Sequence, residues 1–479
     1  MKQPCKEEKN AMRESDGITR RNFLAAAAGI APTALLANAA AGTAASMPCP
    51  EVPAETRLAI DGGTPVRATP LHVYFSGPNF YDDDERRELM DVLEARAPFR
   101  DYGMGPGMKN GSKCIQFEKE FAAHQGAKYC VAVTSGTAAL IVAIAGLAVG
   151  PGDEVILPAW TWYACYNAII ASGATPVFAE IDESLTLDPA DVERKITPHT
   201  KVIMPVHIGG EPADMDAIMA IARRHHVKVL EDCAQSMGVT YKGRAVGSIG
   251  DVGINSFQIC KTISAGDGGA VVTSDPMIFE RAVRFHDLGL MRKAFISQLG
   301  HDPQMGMVPG WQFRMNEWTG AVMCAQLRKV DRIVAAFHDR GRRVKEGIRD
   351  LPGLEFRKSN DPEGALMDVV YFRVGSKAER DRCLAALKAE NITANWNYEG
   401  SVILPAAPHI AKKAPPEVNW PSFATPEGMA VHYGEASCPR TIEIREKYVG
   451  LPIDPKFLDQ DVQDVITAVR KVHSAMLKS

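Results

Sequence analysis

From about residue 112 onward, short apolar runs alternate with longer amphipathic stretches. The short runs are rich in β-branched residues and predict buried strands, whereas apolar positions at helical spacing, as at Met215, Ile218 and Ile221, predict helices. Alternation of this kind predicts an α/β fold in which a mostly parallel sheet is covered by helices on both faces. Strands are predicted at residues 129–134, 154–157, 175–180, 202–206 and 227–231, and helices at residues 137–149, 163–172 and 215–226.

The pattern changes at about residue 330. A long charged helix is predicted at residues 331–350, followed by a strand at 368–374 and a helix at 377–390. This α+β pattern predicts a smaller C-terminal domain at residues 331–479. A chain of 479 residues is long enough for two domains, so an extended arm and a large domain are expected at residues 46–330.

The first 45 residues differ from the rest of the chain. Arg20 and Arg21 stand directly before an alanine-rich apolar run that carries no charge up to Ser46. The arrangement resembles a twin-arginine export signal with small residues for cleavage near residues 37–39. Glycine, proline and asparagine interrupt the run, so a removable signal is expected rather than a stable membrane span. Export to the periplasm is the expectation, and a cytoplasmic protein with an alanine-rich tail is the alternative.

Composition and cysteine spacing narrow the function classes. Hydrophobic residues at 46% and charged residues at 23% are typical of a globular protein, and a net charge of −4 gives no reason to expect nucleic-acid binding. The ten cysteines have no regular spacing, no CxxC pair and no histidine cluster, so neither a disulfide framework nor a metal site is expected. Cys130, Cys165, Cys233 and Cys324 lie in apolar contexts that predict buried thiols.

Small polar residues and one acid follow two of the predicted strands. Ser135, Gly136 and Thr137 lie where a strand ends and a helix begins. Free N–H groups and hydroxyls favour an anion such as a phosphate there, although Ser135 could equally be a helix N-cap. Asp232 lies at a strand end, on the edge where ligands of open α/β sheets bind. Its carboxylate could keep a pyridinium nitrogen protonated, or it could cap a following helix.

An amine and a flat aromatic surface complete the candidate chemistry. Lys261 lies in a loop between two apolar runs and precedes a glycine-rich turn. Partial desolvation in such a loop lowers the pKa of a lysine amine, which suits a Schiff base with the aldehyde of pyridoxal 5′-phosphate (PLP). Trp162 could stack on a pyridine ring, Gln235 could reach its phenolic oxygen, and Ser256 could donate to the phosphate. Each of these residues could instead have a purely structural role. Together, however, they match the groups of a single ligand, PLP.

Seven short segments carry these residues in a fixed order. As an ordered set they resemble the DegT/DnrJ family of sugar aminotransferases, which are PLP enzymes of fold type I. The resemblance covers roughly residues 58–475. The segments are Thr134-Ser-Gly-Thr137, Pro158-Ala-Trp-Thr-Trp162, Pro205-Val-His-Ile-Gly-Gly210, Pro212-Ala-Asp-Met-Asp216, Glu231-Asp-Cys-Ala-Gln235, Gly247-Ser-Ile-Gly-Asp251 and the Lys261 segment.

The resemblance implies a large domain with a seven-stranded, mostly parallel sheet between helices, and a smaller α+β C-terminal domain. It implies that Lys261 and Asp232 are the catalytic residues, with Lys261 joined to the cofactor and Asp232 on its ring nitrogen. The other cofactor-binding residues that it implies are Gln235 near the phenolic oxygen, Trp162 on the ring face, and Ser135, Gly136, Thr137 and Ser256 around the phosphate.

The chain departs from the family pattern at two places. Gln312 stands where the family usually has an asparagine that a neighbouring subunit supplies to the phosphate region. Glutamine keeps the amide and is one methylene longer, so Gln312 is carried over as a cofactor-binding candidate. The residues before the lysine are Gln258-Ile-Cys260, where the family usually has residues of the His/Pro type or threonine. An inter-subunit residue implies a homodimer.

Retention of Lys261 favours transamination, because family members that dehydrate sugars have histidine at this position. The resemblance therefore implies transfer of an amino group from glutamate or glutamine to a keto sugar or keto cyclitol, with PLP as cofactor. Two alternatives are a PLP-binding sensor or scaffold without turnover and a PLP-dependent sugar dehydratase.

Overall fold

The computed structural model describes residues 57–476 apart from 75, 101–110, 396–401, 415, 416 and 418, so the segment 1–45 predicted as an export signal lies outside the described residues. In chain order the strands are β1 Tyr129–Val133, β2 Glu154–Pro158, β3 Trp160–Thr161, β4 Thr175–Ala179, β5 Thr200–Ile203, β6 Lys228–Asp232, β7 Thr240–Tyr241, β8 Arg244–Ala245, β9 Val252–Ser256, β10 Gly269–Thr273, β11 Glu355–Phe356, β12 Val369–Arg373, β13 Val402–Ile403 and β14 Tyr448–Pro452.

The α-helices are α1 Ser76–Asn79, α2 Asp83–Ala95, α3 Lys113–Gln125, α4 Gly136–Gly146, α5 Tyr163–Ser172, α6 Pro189–Lys195, α7 Met215–His225, α8 Pro276–His286, α9 Lys293–Leu299, α10 Glu317–Leu327, α11 Val330–Ile348, α12 Lys377–Ala389, α13 Pro408–Ala411, α14 Pro421–Ala424, α15 Pro426–Ala430, α16 Pro439–Arg445 and α17 Asp459–Met476. Four short 3₁₀-helices lie at Ala59–Asp61, Ile208–Gly210, Leu404–Ala406 and Glu435–Ser437.

A seven-stranded sheet forms the centre of the fold, in the order β1-β10-β9-β6-β5-β2-β4. The pairs β9–β6, β6–β5, β5–β2 and β2–β4 are parallel. Strand β10 is antiparallel to both of its neighbours, so β1 runs in the same direction as the parallel strands. The predicted α/β fold with a mostly parallel sheet is confirmed. The carboxyl ends of six strands consequently meet at one edge of the sheet, where ligands bind in open α/β sheets.

Helices cover both faces of this sheet because its strands are apolar on both sides. In β1, Val131 and Val133 belong to a buried cluster with residues of α4, α5 and α8, whereas Cys130 and Ala132 belong to a second cluster with residues of α3, α7 and α10. Successive strand residues point to opposite faces, which explains this division. All-apolar strands of this kind are typical of buried parallel sheets.

Observed element ends differ from the predicted ones by a few residues. Helix α4 ends at Gly146, three residues before the predicted end, because Ala148 adopts a left-handed backbone conformation with φ of 55°. The strand predicted at 202–206 lies at Thr200–Ile203, and Val206 instead forms an isolated parallel bridge with Asp232. That bridge brings the loop after β5 to the end of β6.

The C-terminal part contains a second sheet. Strands β11, β12 and β14 form a three-stranded antiparallel sheet, and residues of α11, α12 and α17 share a buried cluster with it. The predicted domain boundary at residue 330 coincides with the start of α11, and the division into two domains stays a prediction. No helix among the described residues is long and apolar enough to cross a membrane.

Candidate active site

A cavity of about 680 Å³ opens at the carboxyl ends of the parallel strands. Residues from the ends of β1, β6 and β9 line it, together with the start of β12 and the end of β14 from the C-terminal sheet. Eight of the nine predicted site residues lie on its wall, namely Ser135, Gly136, Thr137, Trp162, Asp232, Gln235, Ser256 and Lys261. The structure therefore brings together residues that are up to 126 positions apart, counting from Ser135 to Lys261.

Hydroxyls and helix N–H groups form one end of the cavity. Ser135 is the N-cap of α4, and its Oγ accepts a hydrogen bond from Ala138 N at 3.1 Å. The capping role of Ser135 is therefore confirmed, and its role toward a phosphate stays a prediction. Thr137 and Ser256 add hydroxyls next to the first turn of α4. Such a helix terminus suits an anion, because its N–H groups and helix dipole favour negative charge.

Gly136 allows the two strand ends at this site to approach closely. A Cβ at residue 136 would lie 2.7 Å from Cβ of Ser256 and 2.8 Å from its Oγ. Only glycine leaves the Ser256 hydroxyl beside the first turn of α4. The Ser-Gly-Thr sequence therefore shapes a compact group of donors at the ends of β1 and β9.

Asp232 lies at the centre of the site, at the last position of β6. Its carboxylate accepts hydrogen bonds from the Cys165 thiol at 3.0 Å and from Ala234 N at 2.9 Å. Burial raises the pKa of Asp232, while the hydrogen bonds and the positive charge of Lys261 oppose the rise. The alternative that Asp232 caps a following helix is wrong, because turns and the short strand β7 follow it. A buried carboxylate held in this way can contact a protonated ring nitrogen.

A buried carboxylate, hydrogen-bonded to backbone amides and to a histidine ring, fixes the strand end that carries Asp232. Glu231 is fully buried and its carboxylate accepts hydrogen bonds from the amide N–H groups of Gly247, Ile249 and Gly250 at 2.6–2.8 Å. His207 Nε2 lies 3.1 Å from the same carboxylate, and its Nδ1 accepts from Ala213 N at 3.0 Å. These contacts give both oxygens of the buried Glu231 carboxylate hydrogen-bond partners and join the end of β6 to the loop at 247–250.

Lys261 lines the same cavity from a loop that begins at the end of β9, and it is partly buried. Lys261 N donates to the Gln258 carbonyl at 2.9 Å, and Gln258 Oε1 accepts from Cys260 N at 2.8 Å. Gln258, one of the residues that differ from the family pattern, therefore forms the turn in which Lys261 lies. Burial lowers the pKa of Lys261, and the negative charges of Asp232 and Asp368 oppose this effect. The amine is thus poised toward its neutral, nucleophilic form.

Trp162 and Gln235 flank the space between Asp232 and Lys261. Trp162 precedes α5, and its side chain is 47% exposed, which leaves an indole surface open to a ligand. Gln235 Oε1 accepts from Gly209 N at 3.0 Å, so the side chain is oriented with its amide NH₂ as a donor. Both positions fit the roles that the resemblance implies.

The ninth predicted residue, Gln312, lies elsewhere. It is exposed, forms an isolated bridge with Asp287, and is absent from the cavity wall. A role supplied to a neighbouring subunit therefore stays a prediction.

Sequence reasoning missed two neighbours of the site. Asp368, at the start of β12, lines the cavity, and burial raises its pKa to about 6. Cys165 was predicted only as a core thiol, although it also donates to Asp232. The helical spacing from Trp162 places Cys165 one turn into α5, facing the strand ends, and this was the available signal. No local signal identified Asp368.

The donor set fits PLP in its chemistry. A compact group of hydroxyls and N–H groups suits a phosphate, a buried carboxylate suits a pyridinium nitrogen, and an amine of lowered pKa suits an aldehyde. Among the described residues, no group of three or more histidine, cysteine or acidic side chains could hold a metal ion.

Curated proteins with similar sequences are aminotransferases and a polysaccharide biosynthesis protein. The chain is 36% identical to the spore coat polysaccharide biosynthesis protein SpsC of Bacillus subtilis over 373 residues, covering 76% of this chain and 90% of SpsC. It is 33% identical to UDP-N-acetyl-3-dehydro-alpha-D-glucosamine 3-aminotransferase of Acidithiobacillus ferrooxidans, with 80% and 97% covered. It is 32% identical to the putative L-glutamine:3-amino-2,3-dideoxy-scyllo-inosose aminotransferase of Micromonospora echinospora, with 87% and 97% covered.

Solved structures agree with these relatives. The aminotransferase from Psychrobacter cryohalolentis matches with a TM-score of 0.70 and 27% identity, covering 85% of this chain and all of that one. The family model described as the DegT/DnrJ/EryC1/StrS aminotransferase family matches residues 101–470. The chain therefore belongs to the DegT/DnrJ/EryC1/StrS aminotransferase family and is a PLP-dependent aminotransferase of fold type I.

Proposed function

We propose that this chain transfers the amino group of glutamine or glutamate to a keto cyclitol or keto sugar at the cavity between the two sheets. The observation that carries the proposal is the convergence of Lys261, Asp232, Trp162 and the Ser135–Thr137 turn on one wall. The relatives supply the substrate classes. The name of one includes L-glutamine and an inosose, and that of another includes a 3-dehydro sugar.

Each residue has a definite task in this proposal. Ser135, Thr137 and Ser256 hold the phosphate, Gln235 donates to the phenolic oxygen, and Trp162 covers one face of the ring. When bound, PLP supplies an electron sink that stabilises negative charge on the substrate carbon. Asp232 keeps a proton on the ring nitrogen by staying ionised beside it.

Lys261 moves the proton. Lys261 would hold the cofactor through its Nζ, and as a free amine, with the amino donor bound, it would take the proton from the donor Cα as a general base. Its lowered pKa matters because a neutral amine is required at that moment. In the second half-reaction the protonated Nζ would act as a general acid toward the carbon that carried the keto group; over the full cycle the donor leaves as its 2-oxo acid and the keto oxygen of the acceptor leaves as water.

Substitution of Lys261 tests this assignment. Lys261→Ala removes the amine, so we expect loss of the absorbance band of lysine-bound PLP near the visible edge and loss of amino transfer. When the wild-type protein is mixed with L-glutamine, its PLP should be converted to pyridoxamine phosphate in a stoichiometric half-reaction. A variant that keeps both the band and turnover would defeat the assignment. A wild-type protein that binds PLP but never reacts with either donor would favour a sensor or scaffold.

We infer that the protein is a homodimer in which Gln312 reaches the cavity of the partner subunit. The exposure of Gln312 and its absence from the cavity of its own chain support this inference. Exposed Trp311 and Leu288 lie beside it and offer apolar area for an interface. Sedimentation equilibrium should give the mass of two chains, and Gln312→Ala should weaken PLP binding without changing that mass.

We also propose that residues 1–45 direct export through the twin-arginine route. Arg20 and Arg21 before an uncharged apolar run support it. Seven of the eight cysteines in the described part of the chain are buried, Cys260 being the exception, which suits a protein folded before export. A reporter fused to residues 1–45 should reach the periplasm of a bacterial host, and Arg20→Lys with Arg21→Lys should retain it in the cytoplasm. Equal distribution of both fusions would overturn the proposal.

A further inference from the structure

The extended arm that precedes α2 lies along the cavity and contacts the C-terminal part of the chain. We call residues 71–81, apart from residue 75, the strap. Leu71 N donates to the Asn391 carbonyl at 2.8 Å, and Tyr74 N donates to Oδ2 of the buried Asp454 at 2.8 Å. Three residues of the strap line the cavity, namely Val73, Tyr74 and Ser76. The strap is therefore part of the cavity wall, and hydrogen bonds attach it to the C-terminal part.

The other end of the strap contacts the loop that carries Lys261. Gly77 N donates to the Lys261 carbonyl at 3.3 Å, and the Tyr81 hydroxyl donates to the Ser264 carbonyl at 2.9 Å. A Cβ at residue 77 would lie 2.5 Å from Ser264 N, so only glycine allows the strap to approach the loop this closely. The strap thus joins the C-terminal part of the chain to the Lys261 loop.

Hydrogen bonds inside the Lys261 loop close its base. Ser264 Oγ and Ala265 N both donate to the Phe257 carbonyl, at 3.0 and 3.1 Å respectively. Residues 257–264 belong to no helix or strand, so the position of their backbone depends on individual hydrogen bonds of this kind. The two hydrogen bonds donated by the strap add to them, one at Lys261 itself and one three residues beyond it.

Tyr81 is suited to hold the loop because its backbone is fixed and its hydroxyl keeps its proton. The carbonyl of the preceding residue, Phe80, accepts from Lys329 Nζ at 2.9 Å, and the following residue, Asp82, is the N-cap of α2. Burial and the negative charge of Glu85 raise the pKa of Tyr81, against the effect of its own hydrogen bond. The hydroxyl is therefore a hydrogen-bond donor at neutral pH.

We propose that Tyr81 is a positioning residue, which holds the Lys261 loop so that the lysine Nζ reaches the aldehyde of PLP. Tyr81 does not itself line the cavity, so it acts through the Ser264 carbonyl. The inference rests on the proposed role of Lys261 and adds a residue on which that role depends. A small displacement of a reacting group slows a reaction strongly, because bond formation requires a near-attack geometry.

The rate at which the apoprotein captures PLP tests the proposal without an amino donor or acceptor. In the covalent step the neutral Lys261 Nζ adds to the aldehyde carbon, a C=N bond forms, and the aldehyde oxygen leaves as water with the two amine protons. Stopped-flow absorbance separates this step from the preceding binding of PLP, because only the covalent step produces the band of lysine-bound PLP. We expect Tyr81→Phe to slow the covalent step about tenfold through the loss of one hydrogen bond. The Kd of the binding step should stay within about twofold, because the residues proposed to hold the phosphate are unchanged.

Tyr433→Phe is the matched control. The Tyr433 hydroxyl also donates to a backbone carbonyl, that of Pro176 at 2.7 Å, and Tyr433 does not line the cavity, so this variant should capture PLP at the wild-type rate. A wild-type covalent rate in Tyr81→Phe, equal slowing in both variants, or slowing that a higher Kd explains entirely would each overturn the proposal. Lys261→Ala reports separately on the proposed function, because it should retain the binding step and lack the covalent step.

Discussion

Replacement of Gly136 by alanine tests the proposed phosphate site. The added Cβ would lie 2.7 Å from Cβ of Ser256 and 2.8 Å from its Oγ, closer than carbon atoms pack, so the start of α4 and the end of β9 must separate. Overpacking of this kind costs about 1–3 kcal/mol. Since the displaced groups are the proposed phosphate donors, most of that cost should appear as weaker PLP binding. We expect a rise of about 5- to 150-fold in the Kd for PLP.

Two further variants isolate the steric cause. Gly150→Ala is the matched control, because a Cβ there meets only the Ser172 carbonyl at 3.9 Å, which is ordinary contact. The double variant Gly136→Ala with Ser256→Gly removes the clashing Cβ and should recover part of the lost affinity, short of the wild type because the Ser256 hydroxyl is gone. Equilibrium dialysis with PLP gives the three Kd values, and circular dichroism confirms folding. A folded Gly136→Ala variant that binds PLP within twofold of the wild type would refute the reasoning.

Two further predictions concern buried groups beside the cofactor residues. The folded pKa of Asp368, about 6, exceeds the ordinary 3.8, so the folded state binds its proton more tightly and loses stability as the pH rises from about 4 to 6. Asp368→Asn should therefore raise the free energy of unfolding of the apoprotein by up to about 3 kcal/mol above pH 7 and by much less at pH 4. Urea unfolding measures this free energy for the variant and the wild type. A difference between the two proteins that does not change with pH would contradict the prediction. Cys165→Val removes the thiol donor from Asp232, raises its pKa further and should slow the glutamine half-reaction about tenfold at pH 7, with Cys165→Ser as the donor-retaining control. Equal rates in the valine and serine variants would show that the thiol only fills space.

The sheet and most of its helices could be predicted from the sequence because local patterns determine them. Residues 129–133 form an apolar block that is buried on both faces, and the helix at 215–225 carries a clear amphipathic repeat. The residues at the strand ends were predictable for a related reason. Parallel strands end at one edge, so Ser135, Asp232 and Ser256 had to lie near one another once the sheet was correct.

Local patterns could not predict which residues of the C-terminal sheet reach the cavity. Asp368 immediately precedes β12, a strand of the sheet formed by β11, β12 and β14, and nothing near residue 368 indicates that this strand starts at the cavity. The position of the Asp368 carboxyl group depends on Gly210, 158 positions earlier, because the left-handed turn at this glycine leaves room for the carboxyl group. Long-range packing of this kind is not encoded by periodicity. The role of Gln312 cannot be predicted from local patterns either, because the cavity that it is predicted to reach belongs to another copy of the chain.

Burial disfavours the charged form of three side chains in this cavity, and in this way the fold influences the chemistry of the site. It lowers the pKa of Lys261 and raises those of Asp232 and Asp368, so each charged form is less favourable here than in water. Elsewhere the fold satisfies buried charges, as it does for Glu231 with three amide donors. A cofactor with a protonated ring nitrogen beside Asp232 and an aldehyde at Lys261 would relieve the unfavourable charges of these two residues when it binds.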